Sequence, residues 1–149
     1  MLGFLVRLYS DTRFTSLGKW AIPSTIHYIK PELSGSCTCY LIKCVIEIDP
    51  SKKDDLGLLK HEMVHAKQFG RLWLLDSLLK YLSSNYRLVS ELEAYMAQVE
   101  YRKYTDAKQY EWIIESLFTN YDLGIGKDVI QYNADKFFKD TLIRNKESG

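Results

Sequence analysis

His61-Glu62-Met63-Val64-His65 is the stretch on which the reading of this 149-residue chain turns. It has the form H-E-x-x-H and falls in a segment patterned as a helix. Leu56, Leu59, Met63 and Ala66 recur at helical spacing, with Leu58 and Val64 beside them. Residues four apart share one face of a helix, so both imidazoles point the same way. Neutral imidazole is a good zinc ligand, and two at this spacing hold one ion. Glu62 follows the first ligand and leans toward the open side of such an ion. There it takes a proton from water that the ion has acidified. The chain has three histidines, and the motif uses two of them.

The helix is expected from near Asp55 to near Phe69. Asp54 and Asp55 suit its N-terminal cap, and Gly70 suits its end. Upstream, Cys39 to Ile48 reads as a strand broken by Asp49-Pro50-Ser51, and Ser24 to Ile29 reads as another, ending at Lys30-Pro31. Ser34, Gly35 and Ser36 suit a turn between the two, which are expected to pair as a hairpin. An exposed strand edge beside the motif helix would hold an extended peptide by main-chain hydrogen bonds. Downstream, Leu72 to Leu82 is dense in leucine, with Trp73 and Tyr81, and is expected to be a buried helix too short to span a membrane. Leu88 to Tyr104, Tyr110 to Phe118 and Asp128 to Ile143 read as further helices. Asn120 to Gly126 reads as a turn-rich link and Arg144 to Gly149 as a frayed polar tail.

Two histidines do not complete a catalytic zinc site, which takes three protein ligands. His27 lies in the first candidate strand and reads as a solvated histidine. Ser90-Glu91-Leu92-Glu93-Ala94-Tyr95 supplies two carboxylates on a later helix. Glu93 fits a capping box with Ser90 and shares a helical face with Glu100, which suggests a solvated side. Glu91 sits beside Leu88 and Tyr95 and is favoured to face inward. Glu93 stays as the rival.

In these residues the chain resembles the gluzincin group of zinc metallopeptidases, the thermolysin-like class. The resemblance runs over about Val45 to Val99, roughly a third of the chain. It implies a zincin-like fold, Zn2+ held by His61, His65 and Glu91, and Glu62 as the base that activates water. In that pattern the glutamate ligand is often followed by a small residue and an aspartate. Ala94 stands at the first position and Tyr95 at the second. The family's aspartate orients a histidine ligand; a phenol can also hydrogen-bond to imidazole N–H, but it carries no charge. Tyr95 also reads as one more aromatic on the apolar side of the helix, with Leu88, Leu92 and Val99. The family's oxyanion donor is often a tyrosine or histidine of the helical half, and the 11 tyrosines leave that choice open, with His27 as a further candidate.

Composition bounds the rest. The length and a hydrophobic content of 46% suit a single domain spanning 1–149 with a real core. A net charge of +1 and the lack of a basic stripe argue against nucleic acid. Met1 to Tyr9 is apolar but is interrupted by Arg7 and does not read as a signal peptide. Cys37, Cys39 and Cys44 are expected as free thiols in a reducing compartment.

The expectation is an α+β fold, a small N-terminal antiparallel sheet packed on a mainly helical C-terminal part with H-E-x-x-H on the central helix. The expected function is zinc-dependent hydrolysis of a protein or peptide substrate, peptidoglycan stem peptides included. The enzyme would be cytoplasmic as synthesised, and its small size suggests carriage in a phage particle. The alternative is a structural or adaptor protein that keeps a zincin-like fold without catalysis. A structural zinc would have four protein ligands and no open position.

Overall fold

The computed structural model describes residues 11–17, 20–29, 34–102 and 107–147. The fold is α+β, with a small sheet N-terminal to five helices. The strands are β1 (Asp11–Leu17), β2 (Trp20–Tyr28), β3 (Gly35–Cys39) and β4 (Cys44–Ile48). The helices are α1 (Leu56–Leu72), α2 (Leu74–Leu82), α3 (Ser84–Arg102), α4 (Ala107–Asn120) and α5 (Lys127–Glu147). The Met1–Tyr9 stretch lies outside the described residues.

The sheet is mixed rather than antiparallel. Its order is β1-β2-β4-β3, and β2 runs parallel to β4, with Ile26 opposite Ile46. The expected hairpin between Ser24–Ile29 and Cys39–Ile48 therefore does not form. The reason lies in Tyr40–Lys43, which reads as strand by propensity but folds back on itself, the Tyr40 N–H donating to the Lys43 carbonyl at 2.7 Å. The reversal sets Cys39 opposite Cys44, so β3 and β4 form the hairpin. Alternation in β4 then buries Cys44, Ile46 and Ile48. Cys39 and Cys44 are joined by a disulfide, and only Cys37 of the three is a free thiol. The expectation of three free thiols is corrected for that pair because the turn brings them face to face.

Asp55 caps α1, its carboxylate accepting from the Leu58 N–H at 3.0 Å. Gly70 does not end the helix. The α1 helix continues to Leu72, and Trp73, in the left-handed region at φ 52°, ends it with its N–H on the Phe69 carbonyl. One side of α1 packs on the sheet: Leu59 meets Ile26, Ile46 and Ile48, and Ala66 and Phe69 meet Cys44. The other side, with His61, His65 and Gln68, faces α3.

Leu72–Leu82 is not the buried helix its leucines suggest. Leu74, Leu75 and Leu78 are half exposed and Leu82 more so. The one buried residue of α2 is Asp76, which accepts from the Tyr86 hydroxyl at 2.7 Å and pairs with Lys80 at 3.0 Å. A polar anchor holds the helix down, and its apolar side looks outward beside the tip of the β3–β4 hairpin. There the Trp73 indole N–H donates to the Leu41 carbonyl at 2.6 Å.

The α3 helix starts at Ser84, with the Ser83 hydroxyl accepting from the Tyr86 N–H. Ser90 is thus inside the helix, and Ser90–Glu93 is no capping box. A second core joins Leu88, Leu92 and Tyr95 of α3 to Ile113, Ile114 and Leu117 of α4 and Ile130 and Ala134 of α5. The α5 helix runs to Glu147, through most of the stretch expected as a tail. No helix among the described residues is long and apolar enough to cross a membrane.

Candidate metal centre

The site forms where α1 crosses α3. His61 and His65 extend from α1 with their Nε2 atoms 3.3 Å apart. Glu91 of α3 brings one oxygen, Oε2, to 3.5 Å from the first and 3.3 Å from the second. Donors held about 2.0–2.2 Å from a tetrahedral ion stand roughly 3.3–3.5 Å from each other. All three edges of this triangle have that length. The buried Glu91 Oε2 atom has the two imidazoles at ion-pair distance but makes no well-formed hydrogen bond, so a cation seated among the three donors would satisfy it. Two imidazoles and a carboxylate are a donor set suited to zinc. Among the described residues the group stops at three ligands.

Electrostatics within the triangle are strongly coupled. Burial opposes protonation of His65, but the Glu91 carboxylate outweighs it and raises the pKa above 6.5. Burial likewise opposes ionisation of Glu91, yet His65 and then His61 hold its carboxyl far below the ordinary range. Glu91 is thus an ionised carboxylate well before neutral pH, ready to act as a ligand.

Gln68 fixes the His65 tautomer. Its amide nitrogen donates to the Ser90 carbonyl and to Glu93, each at 2.9 Å. That orientation makes its oxygen the atom facing His65 Nδ1, at 3.0 Å. Neutral His65 must therefore carry its proton on Nδ1, leaving the Nε2 lone pair for a metal. Gln98 lies between His61 and Arg102 and has two ways to lie. With its oxygen accepting from Arg102 at 2.9 Å, its nitrogen donates to His61 Nδ1 at 3.2 Å. Turned over, its oxygen would accept from Nδ1–H, which suits ligation through Nε2, but its nitrogen would then face the Arg102 guanidinium, donor against donor.

Tyr95 does not replace the aspartate of the family pattern. Its ring packs edge-on against His61 with centroids 4.5 Å apart, and its hydroxyl meets that of Tyr121 at 3.3 Å. It orients His61 by contact, while the two glutamines make the imidazole hydrogen bonds. Glu93 points away from the triangle, to Arg71 at 2.9 Å and to Gln68. His27, half-buried in β2 in register with Glu47, is not among the converging donors.

Glu62 lies beside the triangle on the wall of a cleft of about 390 Å3, together with His61, Gly35, Tyr95, Trp112 and Tyr121. Burial raises its pKa, Glu91 adds to the shift, and the two histidines oppose it. Gly35 opens β3 directly against it: a β-carbon there would stand 2.8 Å from Glu62 Oε1. The missing side chain makes room for the carboxylate.

Gln68, Gln98 and Gly35 are not identified by the sequence reading. The glutamines carry a spacing signal. His61, His65 and Gln68 fall on one face of α1, and Glu91, Tyr95 and Gln98 fall on one face of α3. Gly35 carries none, because its role depends on where a strand edge passes a helix.

No family model matches the chain, and comparisons with curated proteins and with solved structures return no match.

Proposed function

We propose that the protein is a zinc-dependent endopeptidase of gluzincin type, with His61, His65 and Glu91 as ligands and Glu62 as general base. One observation carries the reading: three donors spaced for a tetrahedral ion, with a buried, basic-shifted carboxylate next to them on an open cleft. Bound zinc would supply a Lewis acid that polarises a carbonyl oxygen and acidifies water. The rest falls to this chain's own residues. Glu62 accepts the proton of the attacking water at its carboxylate and returns it to the leaving amine, a role favoured by a pKa moved toward neutrality. Gln68 keeps the His65 proton on Nδ1. Tyr95 and Tyr121 line the cleft, and their paired hydroxyls are the candidates from which a tetrahedral oxyanion would draw a hydrogen bond. The β3 strand is an edge of the sheet and borders the cleft at Gly35, which suits an extended peptide laid alongside it. The proposed substrates are peptides, with the peptide cross-links of bacterial cell walls as a specific candidate.

The Glu62→Gln variant separates catalysis from metal binding. It is expected to retain about one zinc per chain, measured by elemental mass spectrometry, and to lose about 10²–10⁴-fold in hydrolysis of a peptide library or of purified peptidoglycan sacculi. His65→Ala is expected to lose both. Equal cleavage by Glu62→Gln and parent would remove Glu62 as the base. Zinc retention with no hydrolysis in the parent would favour the structural alternative.

A further inference from the structure

A second cluster of ligand atoms lies outside the proposed zinc site. Cys37 and Cys39 are two apart in β3 and point to the same face, and the hairpin turn sets Cys44 opposite Cys39. All three sulfurs lie within 4.8 Å of one another under α1, where they pack with Ala66 and Phe69. The Cys37 thiol is 3.7 Å from the Cys39 sulfur.

We propose that, once the Cys39–Cys44 disulfide is reduced, Cys37, Cys39 and Cys44 form a three-thiolate site for a soft d10 cation, Cu(I) being the best fit. Sulfurs held about 2.3 Å from one ion in a trigonal plane lie roughly 4 Å apart. The 3.7 Å separation of Cys37 and Cys39 already has this scale, so the rearrangement needed is the parting of one bonded pair. Thiolates select soft ions over hard ones. Three donors with no fourth among the described residues suit Cu(I), which is content with three, better than structural zinc, which takes four. Lys80 stands close enough to favour the charged form of Cys37 and so offsets part of the negative charge of three thiolates. Burial, with Glu62 and Asp76 adding, pushes the Cys37 thiol up to about 12, so at neutral pH it stays protonated and does not attack the neighbouring disulfide by itself.

Access to the site is redox-gated. A dithiol reductant delivers two electrons and two protons and leaves as its own disulfide. The Cys39–Cys44 bond breaks and two thiols form. Cu(I) then displaces the thiol protons to solvent as the three metal–sulfur bonds form. The oxidised protein offers one thiol and two sulfurs bonded to each other, and no site.

The test is anaerobic titration of the zinc-stripped, fully reduced full-length protein with Cu(I), in competition with a chromogenic Cu(I) chelator. Uptake of about one Cu(I) per chain is expected, with the ultraviolet charge-transfer absorption of a thiolate complex. Cys37→Ser is expected to weaken uptake about tenfold or more, and His65→Ala to leave it unchanged. The disulfide-oxidised parent, whose sequence and fold are untouched, is expected to bind none. It serves as the control if a cysteine variant fails to fold. Failure of the reduced parent to compete for Cu(I) would overturn the proposal. So would uptake that His65→Ala abolishes and Cys37→Ser does not, since that would put the ion among the histidines. Neither result bears on zinc binding there.

Discussion

Gly35 shows how much of the site depends on a side chain that is not there. Adding a methyl group would bring a carbon to 2.8 Å from Glu62 Oε1. The carboxylate is the far end of a flexible side chain, so it can move away at little cost to folding. Its position relative to the ion and the cleft is what would be lost. Gly35→Ala is expected to keep zinc affinity within about threefold while lowering kcat/KM by about 10²-fold, the usual penalty for misplacing a reacting group by an ångström. Wild-type activity in this variant would mean that the carboxylate works from another position. His65 gives a second residue-scale prediction. Glu91 outweighs burial and raises its pKa above the ordinary histidine value, so as pH rises the folded imidazole keeps its proton longer than an unfolded chain does. The stability it contributes is full below pH 6.5 and declines as pH rises through the raised folded value. With zinc bound as proposed, the imidazole would be neutral, so the proton released on zinc binding should be largest at low pH and fall away as pH rises through the raised value. Calorimetry in buffers of different ionisation enthalpy would read the release, and His65→Ala should abolish it. Zinc uptake whose proton release does not fall with rising pH would take His65 out of that titration. Of the three converging donors, His61 and His65 are legible in sequence because they sit about one turn apart on one helix, whereas Glu91, on α3, stands beside Glu93 as a rival. The glutamines beside them share those faces but carry no charge or motif to mark them, and Gln68 is identified only by its simultaneous bonds to His65, Ser90 and Glu93.

At the scale of elements, α2 inverts the usual reading of a leucine-rich helix. Its nine residues are docked through Asp76, buried at 2% exposure, while the surrounding leucines stay half in solvent. Removing the carboxylate takes from the Tyr86 hydroxyl its acceptor and from the Lys80 ammonium its ion pair, leaving Lys80 only Gln68. Asp76→Ala is therefore expected to cost about 1–3 kcal/mol in denaturant unfolding. Leu78→Ser, on the exposed side, should cost no more than about 0.5 kcal/mol. The opposite ranking would mean that the leucine side is covered in solution. The sequence could not reveal this, because periodicity reports which residues share a side, not which side finds a partner. The strands fail for a related reason. Tyr40, Leu41 and Ile42 have strand propensity and form a turn, since propensity is a weak prior against the gain of pairing Cys44, Ile46 and Ile48 between two neighbours. The α1 helix is legible, because an acidic cap, a regular apolar stripe and the motif all agree. Only its end is displaced, to Trp73.

Among the described residues, buried apolar side chains gather in the sheet under α1 and in the bundle of α3, α4 and α5. Along the His61–Gln68 turns of α1 they meet through polar groups: two histidines and Gln68 from one half, Ser90, Glu91 and Glu93 from the other. Burying such a contact stabilises little by itself, because removing Glu91, His61 and His65 from water offsets much of their attraction. A cation ligated from both sides offsets that cost and ties α1 to α3. Zinc should therefore act on cooperativity as well as on the melting temperature. At about a thousand times its dissociation constant it adds roughly 4 kcal/mol. For a chain of this length that corresponds to a rise of about 8–16 °C. Scanning calorimetry is expected to show one sharp transition for the loaded protein and a broader one, with van't Hoff enthalpy unequal to the calorimetric value, after chelation. Glu91→Gln keeps the shape of the side chain but loses its charge, so it should forfeit most of the zinc-induced rise. Glu93→Gln, in a residue that faces Arg71 rather than the triangle, should keep it. If the two glutamine variants exchanged these behaviours, the junction would be closed through Glu93. If chelation left a single transition at an unchanged temperature, the packing of α1 on α3 would be sufficient without a metal.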